Sequence, residues 1–165
     1  MKILKTTKKS SIYSYLYYHG INWFPCFRRT GGRVIFLSSD FQEVHIKIPL
    51  NWMTRNPLGT IFGGAVMSAS DPFYMFLIFR HLGKSYIVWD KETHAKFIKP
   101  AKKTLYAKYL ITNELIESIK RNVQESGKYI LNLDISFIDE DNIVYAALVK
   151  TLYIASKAYY LESHK

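Results

Sequence analysis

The sequence predicts an α+β fold in which one long apolar helix packs on an antiparallel sheet. The first observation is a run of nineteen residues, 61–79, whose only charged residue is Asp71 and whose only proline is Pro72. The second is the order of the other segments, with two short β-type runs before this helix and four longer ones after it. An order of hairpin, buried helix and further strands is typical of one helix on one sheet.

Periodicity and turn residues predict the individual elements. Residues 10–20 predict a short helix that ends at Gly20, and an aromatic connector follows over residues 22–25. Residues 34–37 and 44–48 predict a hairpin whose second strand has one buried and one solvated face. The other predictions are helices over 61–82 and 113–125, the latter ended by Gly127, and strands over 86–98, 105–112, 129–138 and 143–154.

Length indicates one domain, residues 1–165, in which residues 1–25 form a helical and aromatic extension. Cys26 is the only cysteine, so the chain cannot form an internal disulfide, and a reducing cytoplasm is the expected compartment. A tyrosine-rich run follows the basic amino terminus, which predicts no signal peptide. The five histidines show no metal-ligand spacing, and we expect no metal site.

The charge balance, a net +10, favours an anionic partner such as nucleic acid, an anionic membrane or a phosphate-bearing ligand. No recognised nucleic-acid motif accompanies the charge, so we expect no nucleic-acid partner. The apolar run 61–79 is long enough to span a membrane. Asp71 and Pro72 at its midpoint make a poor span, and we expect a buried helix and no transmembrane segment.

A pattern of glycines and an acid surrounds the start of the long helix: Asn56, Gly59, Phe62, Gly63, Gly64 and Asp71. Their spacing resembles the motif of hotdog-fold thioesterases of the phenylacetyl-CoA thioesterase type, which runs Asn-x-x-Gly-x-x-His-Gly-Gly with an acid seven positions later. Phe62 replaces the His, as in an uncharacterised branch of that superfamily with Phe-Gly-Gly. Residues 96–101 also resemble the family's strand motif, basic-Phe-Leu-Arg-Pro-Ala.

The resemblance implies a hotdog fold, a long central helix wrapped by a curved antiparallel sheet, and hydrolysis of an acyl-CoA. Coenzyme A then enters as part of the substrate, and no separate cofactor is expected. Asp71 would act as general base or nucleophile, the Gly63 and Gly64 amides would polarise the carbonyl, and Asn56 would assist. The substrate-binding residues implied by the family are Phe62 beside the reacting group and Lys96, Lys99 and Lys102 near the CoA phosphates.

Helix geometry separates the two halves of this implied site. Asp71 lies seven residues past Gly64, roughly 10 Å along a helix at 1.5 Å per residue. One helix therefore cannot easily present both the amides and the acid to one carbonyl. The resemblance implies that the Gly-Gly of one subunit faces the acid of its partner, in a homodimer or a dimer of dimers.

Each site residue also has a purely structural interpretation. Asp71 before Pro72 suits the N-cap of a helix over residues 72–82, with the upstream residues in a separate turn or a kinked helix, or a buried paired carboxylate. Asn56 can hold its own turn. Phe62 can be an aromatic core anchor, and the lysines can be a solvated basic turn. Two other functions stay open: a non-catalytic acyl-CoA or lipid-binding protein, and an accessory protein that uses its charge on a membrane surface or nucleic acid.

Overall fold

Six strands form one antiparallel sheet in the computed structural model, which describes residues 4–163. The sheet order is β1-β2-β4-β5-β6-β3, with β1 (Arg33–Leu37), β2 (Glu43–Ile48), β3 (Tyr86–Phe97), β4 (Leu105–Leu110), β5 (Lys128–Ile138) and β6 (Val144–Ser156). The helices are α1 (Ile12–Trp23), α2 (Pro25–Arg29), α3 (Gly63–Ser70), α4 (Pro72–Leu82), α5 (Asn113–Ser126) and α6 (Lys157–Ser163). Residues 1–3 of the predicted extension and His164, one of the five histidines, lie outside the described residues.

The core lies between the sheet and α4. Phe73 and Leu77 of this helix are almost completely buried, as are Tyr109 of β4 and Phe137 of β5. The Phe73 and Tyr109 rings pack 5.0 Å apart, a separation at which aromatic pairs attract. Removal of these large apolar side chains from water is the main stabilising contribution of the layer. The predicted α+β fold, with an apolar helix on an antiparallel sheet, is confirmed.

The predicted single helix over residues 61–82 is two helices, which is a correction. α3 ends at Ser70 and α4 begins at Pro72, with Asp71 between them. Pro72 has no N–H, so it cannot donate to the carbonyl of Ser68 and the ladder of helix hydrogen bonds is interrupted. The interruption leaves Asp71 at a break in the otherwise apolar segment.

The predicted amino-terminal helix is longer than expected. It begins at Ile12 with Ser11 as its N-cap and passes through Gly20 to Trp23. The Phe24 amide donates to the Gly20 carbonyl, so the backbone stays helical past the glycine. The predicted connector is also wrong over its last part, because Pro25 starts the short helix α2. The carboxy-terminal helix α6 was not predicted.

The predicted solvated face of β2 is wrong at His45, whereas Lys47 on the same face is half-buried. His45 and Glu43 are both buried, and their side chains lie 2.5 Å apart. Burial lowers the pKa of His45, and the Lys108 ammonium adds to this while Glu43 opposes it. Lys108 lies 3.1 Å from the Glu43 carboxylate and donates to the carbonyl of Lys5. The segment before α1 therefore lies over this face of the hairpin, which the alternation of apolar residues does not reveal.

Candidate active site

Asp71 lies at the break between α3 and α4 with its side chain 65% exposed. It occupies the N-cap position of α4 in a helical conformation and makes no capping hydrogen bond. Its Oδ1 instead accepts a hydrogen bond of 3.1 Å from Lys150 Nζ. The carboxylate is therefore paired, as one structural interpretation expected, but it is neither buried nor a helix cap.

The partner of Asp71 is a buried lysine. Lys150 on β6 is 1% exposed and lies in the inward phase of the strand, between the buried residues Leu148 and Leu152. Its Nζ also donates to Thr93 Oγ1 at 3.0 Å. A buried ammonium is costly unless it is paired, so these contacts are needed to hold the charge inside the fold.

A β-bulge in β3 places Thr93 and Asp90 beside Lys150. Asp90 pairs across the sheet with Leu152, and Thr93 pairs with Lys150, so β3 has one extra residue between these two positions. A bulge of this kind re-aims the following side chains. Asp90 and Thr93 therefore both face the helix side, and Asp90 Oδ1 lies 3.2 Å from Lys150 Nζ.

The two carboxyl groups have different environments. Burial raises the pKa of Asp90, and the Asp71 carboxylate adds to this while the Lys150 ammonium opposes it. Asp90 is 17% exposed against 65% for Asp71. Burial also raises the pKa of Tyr109, whose hydroxyl points to the Ser70 carbonyl at the end of α3. One accessible and one enclosed carboxyl group thus share a single ammonium.

Gly63 and Gly64 form the first turn of α3, and their N–H groups have no hydrogen-bond partner within residues 4–163. Unpaired amides at a helix start favour a partial negative charge on a ligand. A Cβ on Gly63 would lie 3.0 Å from the Phe97 ring, and one on Gly64 would lie 2.3 Å from the Phe62 ring. Phe62 is 57% exposed and covers Gly64, so it is not a buried core anchor.

Two separate pockets contain the two halves of the implied site. The glycine pocket, about 430 Å³, is lined by Gly63, Val66, Phe97, Lys99 and Tyr145 among others. The aspartate pocket, about 740 Å³, is lined by Ile21, Cys26, Phe27, Asp71 and Phe76 among others. A single chain therefore keeps Gly63 and Asp71 apart, as the helix geometry predicted.

The other predicted site residues lie away from Asp71. The Asn56 side chain donates to Thr60 Oγ1 and accepts from the amides of Leu58 and Thr60, which ties down its own loop. Lys99 Nζ lies 5.1 Å from the centre of the Tyr145 ring, at the glycine pocket. Lys96 and Lys102 are exposed. The structural interpretation of Asn56 is therefore what the contacts show, and its catalytic role stays a prediction.

The described part of the chain contains neither a metal-binding cluster nor a membrane-spanning helix. Residues 4–163 contain no group of three or more His, Cys, Asp and Glu side chains placed to hold a metal ion. Nor does any helix among them combine the length and apolarity needed to cross a membrane.

Most of this chain matches one protein family. The family described as "Domain of unknown function (DUF4442)" matches residues 19–154. The chain belongs to the DUF4442 family. No curated protein matches this DUF4442 chain.

Solved structures show which fold this DUF4442 protein shares. One match is a protein of unknown function from Pseudomonas aeruginosa, described as a probable thioesterase, at 21% identity, TM-score 0.76 and coverage of 89% of this chain and 98% of that one. Another is a thioesterase from Haemophilus influenzae, at 13% identity, TM-score 0.61 and coverage of 93% and 95%. A mutant thioesterase from Pseudomonas aeruginosa matches at 11% identity, TM-score 0.62 and coverage of 94% and 99%. The predicted hotdog fold is confirmed.

Sequence reasoning missed three residues around Asp71 in this DUF4442 protein. The sequence predicted no role for Lys150, Asp90 or Thr93, which are 79, 19 and 22 residues from Asp71 along the chain. A signal for the first was present, since Lys150 interrupts an alternation of inward-facing apolar residues in β6. A lysine in the buried phase of a strand predicts a paired interior charge. The bulge that turns Asp90 and Thr93 inward left no comparable signal.

Proposed function

We propose that this protein hydrolyses an acyl-CoA thioester, with Asp71 as the general base or nucleophile. The observation that supports this most is the accessible Asp71 carboxylate, which Lys150 holds at the helix break beside an apolar pocket. An exposed carboxylate tied to a fully buried cation is unusual for a surface residue. The hydrolases among the structural neighbours agree with the reaction type.

The reaction needs few groups. With Asp71 as base, the carboxylate takes a proton from water, the water oxygen bonds to the carbonyl carbon, and the carbon–sulfur bond breaks to release CoA thiolate. With Asp71 as nucleophile, a carboxylate oxygen bonds to the carbonyl carbon, and the carbon–sulfur bond breaks to release CoA thiolate and leave a mixed anhydride. Water then hydrolyses this anhydride to the free acid and the Asp71 carboxylate. Either route builds negative charge on the carbonyl oxygen, which unpaired backbone amides can stabilise.

Lys150 positions the carboxylate in this proposal. Its bond to Oδ1 fixes one oxygen of Asp71, and Oδ2 has no hydrogen-bond partner among residues 4–163 and is available to the reacting group. Because Thr93 and Asp90 hold the same ammonium, the carboxylate orientation is set by strands of the sheet rather than by a mobile side chain. A fixed orientation of the reacting group contributes to rate by reducing the entropy lost at the transition state.

The oxyanion donors in this proposal are Gly63 and Gly64 of a second subunit. The chain keeps Asp71 and Gly63 in separate pockets, so a partner in a homodimer or a dimer of dimers must bring them together. Lys99 at the glycine pocket, with Lys96 and Lys102 nearby in sequence, would attract the CoA phosphates. Asn56 would support the glycine loop. A cytoplasmic location is part of this proposal, and the single free Cys26 is consistent with it.

Turnover of acyl-CoA substrates tests the proposal directly. Purified protein should release CoA from at least one member of a panel of acetyl- to hexadecanoyl-CoA and phenylacetyl-CoA, and Asp71→Asn should remove this activity. Asp141→Asn is the matched control, because Asp141 is also exposed and paired with a lysine but lies in the β5–β6 turn. No turnover of any member by wild-type protein would refute the proposal.

Complementation tests the shared site. Gly63→Pro removes the donor while suiting the first position of a helix, and Gly63→Ala is its control because alanine keeps the N–H. Asp71→Asn and Gly63→Pro should each be inactive. When the two variants are unfolded, mixed in equal amounts and refolded, half the dimers contain one subunit of each kind, and each such dimer has one intact site of two. The mixture should therefore regain about a quarter of wild-type activity. Continued inactivity of a mixture that has formed dimers would contradict the shared site.

A second candidate is a non-catalytic acyl-CoA or lipid-binding protein. The position of Phe62 favours it, because the ring packs against Gly64 where a reacting carbonyl would approach. Native mass spectrometry separates the two candidates: a binder retains fatty acid or acyl-CoA through purification without turning it over. In that case Asp71→Asn would leave the bound ligand unchanged.

A further inference from the structure

We infer that the aspartate pocket binds the acyl chain of the substrate as a linear aliphatic group, with the helices α1 and α2 forming one of its walls. This inference rests on the proposed function, since that function identifies a thioester as the ligand. It gives the amino-terminal helices a role in substrate selection. It also places the acyl group and the CoA group in different pockets.

The chemistry of the lining supports an apolar occupant. The lining combines Tyr17 and Ile21 of α1 and Phe27 of α2 with Phe73 and Phe76 of α4. Asp71 is the only charged residue among the lining residues that the structure describes. A volume of about 740 Å³ is within the range of small-molecule sites. Phosphate groups would find no cation here, whereas an aliphatic chain finds aromatic and aliphatic walls.

The two pockets divide the substrate according to its own polarity. The glycine pocket contains Lys99 and the start of α3, which suit the phosphate-bearing end of a CoA ester and the carbonyl oxygen. The aspartate pocket contains the proposed reacting carboxylate at the edge of an apolar cavity. A thioester bound with its acyl chain in this cavity therefore places its carbonyl carbon beside Asp71. The reverse orientation would bury phosphates against phenylalanine rings.

Packing of α1 and α2 holds this wall in place. The Tyr17 ring stacks on Phe76 at 5.5 Å, and Phe27 meets Phe73 edge to face at 5.3 Å. The Asn22 side chain exchanges two hydrogen bonds with the backbone of Val34 in β1. The pocket is therefore built from packed elements, and substitutions in α1 should change chain-length preference without moving Asp71.

Cys26 provides a direct probe of occupancy. It is the only cysteine in the chain, it is exposed, and it lines the aspartate pocket. The experiment uses the Asp71→Asn variant so that no CoA thiol is released, and follows alkylation of Cys26 by iodoacetamide with mass spectrometry. Decanoyl-CoA at saturation should slow alkylation at least fivefold, while acetyl-CoA, which has the same CoA group and almost no chain, should leave the rate within twofold.

A pocket-filling variant tests the same inference through turnover. Ile21→Trp should reduce kcat/KM for decanoyl-CoA at least tenfold and leave acetyl- or butyryl-CoA within threefold. Leu16→Trp is its control, because Leu16 is also on α1 but is 63% exposed and outside the pocket. In the wild-type protein, each added methylene should tighten binding about fourfold until the pocket is full.

The outcomes separate this inference from the proposed function. If wild-type protein hydrolyses decanoyl-CoA but decanoyl-CoA does not protect Cys26, the acyl-pocket inference is overturned and the function stands. If decanoyl-CoA protects Cys26 but no acyl-CoA is hydrolysed, the function is wrong and the pocket is supported as a ligand site. Equal loss of short- and long-chain turnover in Ile21→Trp, with Leu16→Trp unaffected and the fold intact, would also overturn the inference.

Discussion

Replacement of Lys150 by methionine is the perturbation that best tests the arrangement around Asp71. Methionine has a similar length and no charge, so Lys150→Met removes the ammonium while filling most of its space. The variant leaves two carboxyl groups without their cation. One of them, Asp71, is 65% exposed and can be hydrated, whereas the other, Asp90, is 17% exposed and cannot.

The burial of the two carboxyl groups sets the expected magnitudes. Removal of one partner from a buried ion pair costs about 3–5 kcal/mol, and we expect about 3 kcal/mol for Lys150→Met because Asp71 is hydrated and Asp90 can take up a proton. Asp71→Asn should cost less than about 1 kcal/mol, because Asp71 itself is largely exposed and Lys150 keeps Thr93 and Asp90 as partners. The double variant Lys150→Met/Asp90→Asn should come within about 1 kcal/mol of wild type, because no buried charge remains.

Urea denaturation at pH 7, followed by circular dichroism, measures these free energies of unfolding. Burial already raises the pKa of Asp90 in wild type, and the loss of Lys150 should raise it further. The group then binds a proton more readily in the folded state than in the unfolded state. The deficit of Lys150→Met should therefore shrink as the pH falls toward 5. A Lys150→Met protein as stable as wild type at pH 7, or an Asp71→Asn protein as unstable as Lys150→Met, would refute the reasoning.

Three further predictions concern other parts of the fold. Burial lowers the pKa of His45 below that of the unfolded chain, so the stability that His45 contributes above about pH 6.5 should be lost as the pH falls. In urea titrations between pH 7.5 and 5.5, His45→Gln should reduce this dependence of stability on pH, and an unchanged dependence would contradict the prediction. Gly127→Ala should destabilise by more than about 1 kcal/mol because φ is 75° there. Gly20→Ala lies within α1, where an added Cβ meets no atom within 4 Å, and should stabilise by up to about 1 kcal/mol; thermal midpoints that shift in the same direction would count against this. Asn56→Ala should lower the free energy of unfolding by about 1–3 kcal/mol, because the hydrogen bonds that hold its loop are lost. If loop support is the whole role of Asn56, any loss of turnover should disappear at temperatures where the variant is fully folded.

The strands were predictable because their signals are local. Apolar residues alternate along β5 and β6, and Asn142 accepts the positive φ of 61° that the turn between them requires. The predicted bounds of both strands therefore lie within two residues of the observed ones. The cap of α5 was equally local, since the Thr112 side chain accepts from the Leu115 amide and Gly127 ends the helix in the left-handed region.

The errors arose where one residue type suits two structures. Gly20 is compatible with a helix end, but no positive φ is needed there and the helix continues. Residues 61–82 are apolar on both sides of Asp71, so composition favoured one helix, and only the Asp71-Pro72 pair indicated the alternative of a helix that begins at Pro72. His45 alternates with apolar neighbours as a solvated residue would, and its burial depends on contacts that the alternation does not reveal, among them the Phe36 ring at 4.8 Å.

The candidate site was predictable only in the part that one motif contains. The pattern of glycines and acid located both ends of α3, and helix geometry predicted that one helix cannot easily present both ends to one carbonyl. In the structure, Gly63 and Asp71 line separate pockets. Lys150 could not be assigned to Asp71 from the sequence. That pairing depends on where the helix break lies over the sheet and on a bulge in β3, the strand beside β6. In the proposed reaction, a phenylalanine at position 62 does not by itself exclude activity. The charge that orients the proposed reacting group comes from the sheet beneath α4, and the donors come from the backbone, so neither requires a polar side chain at the start of α3.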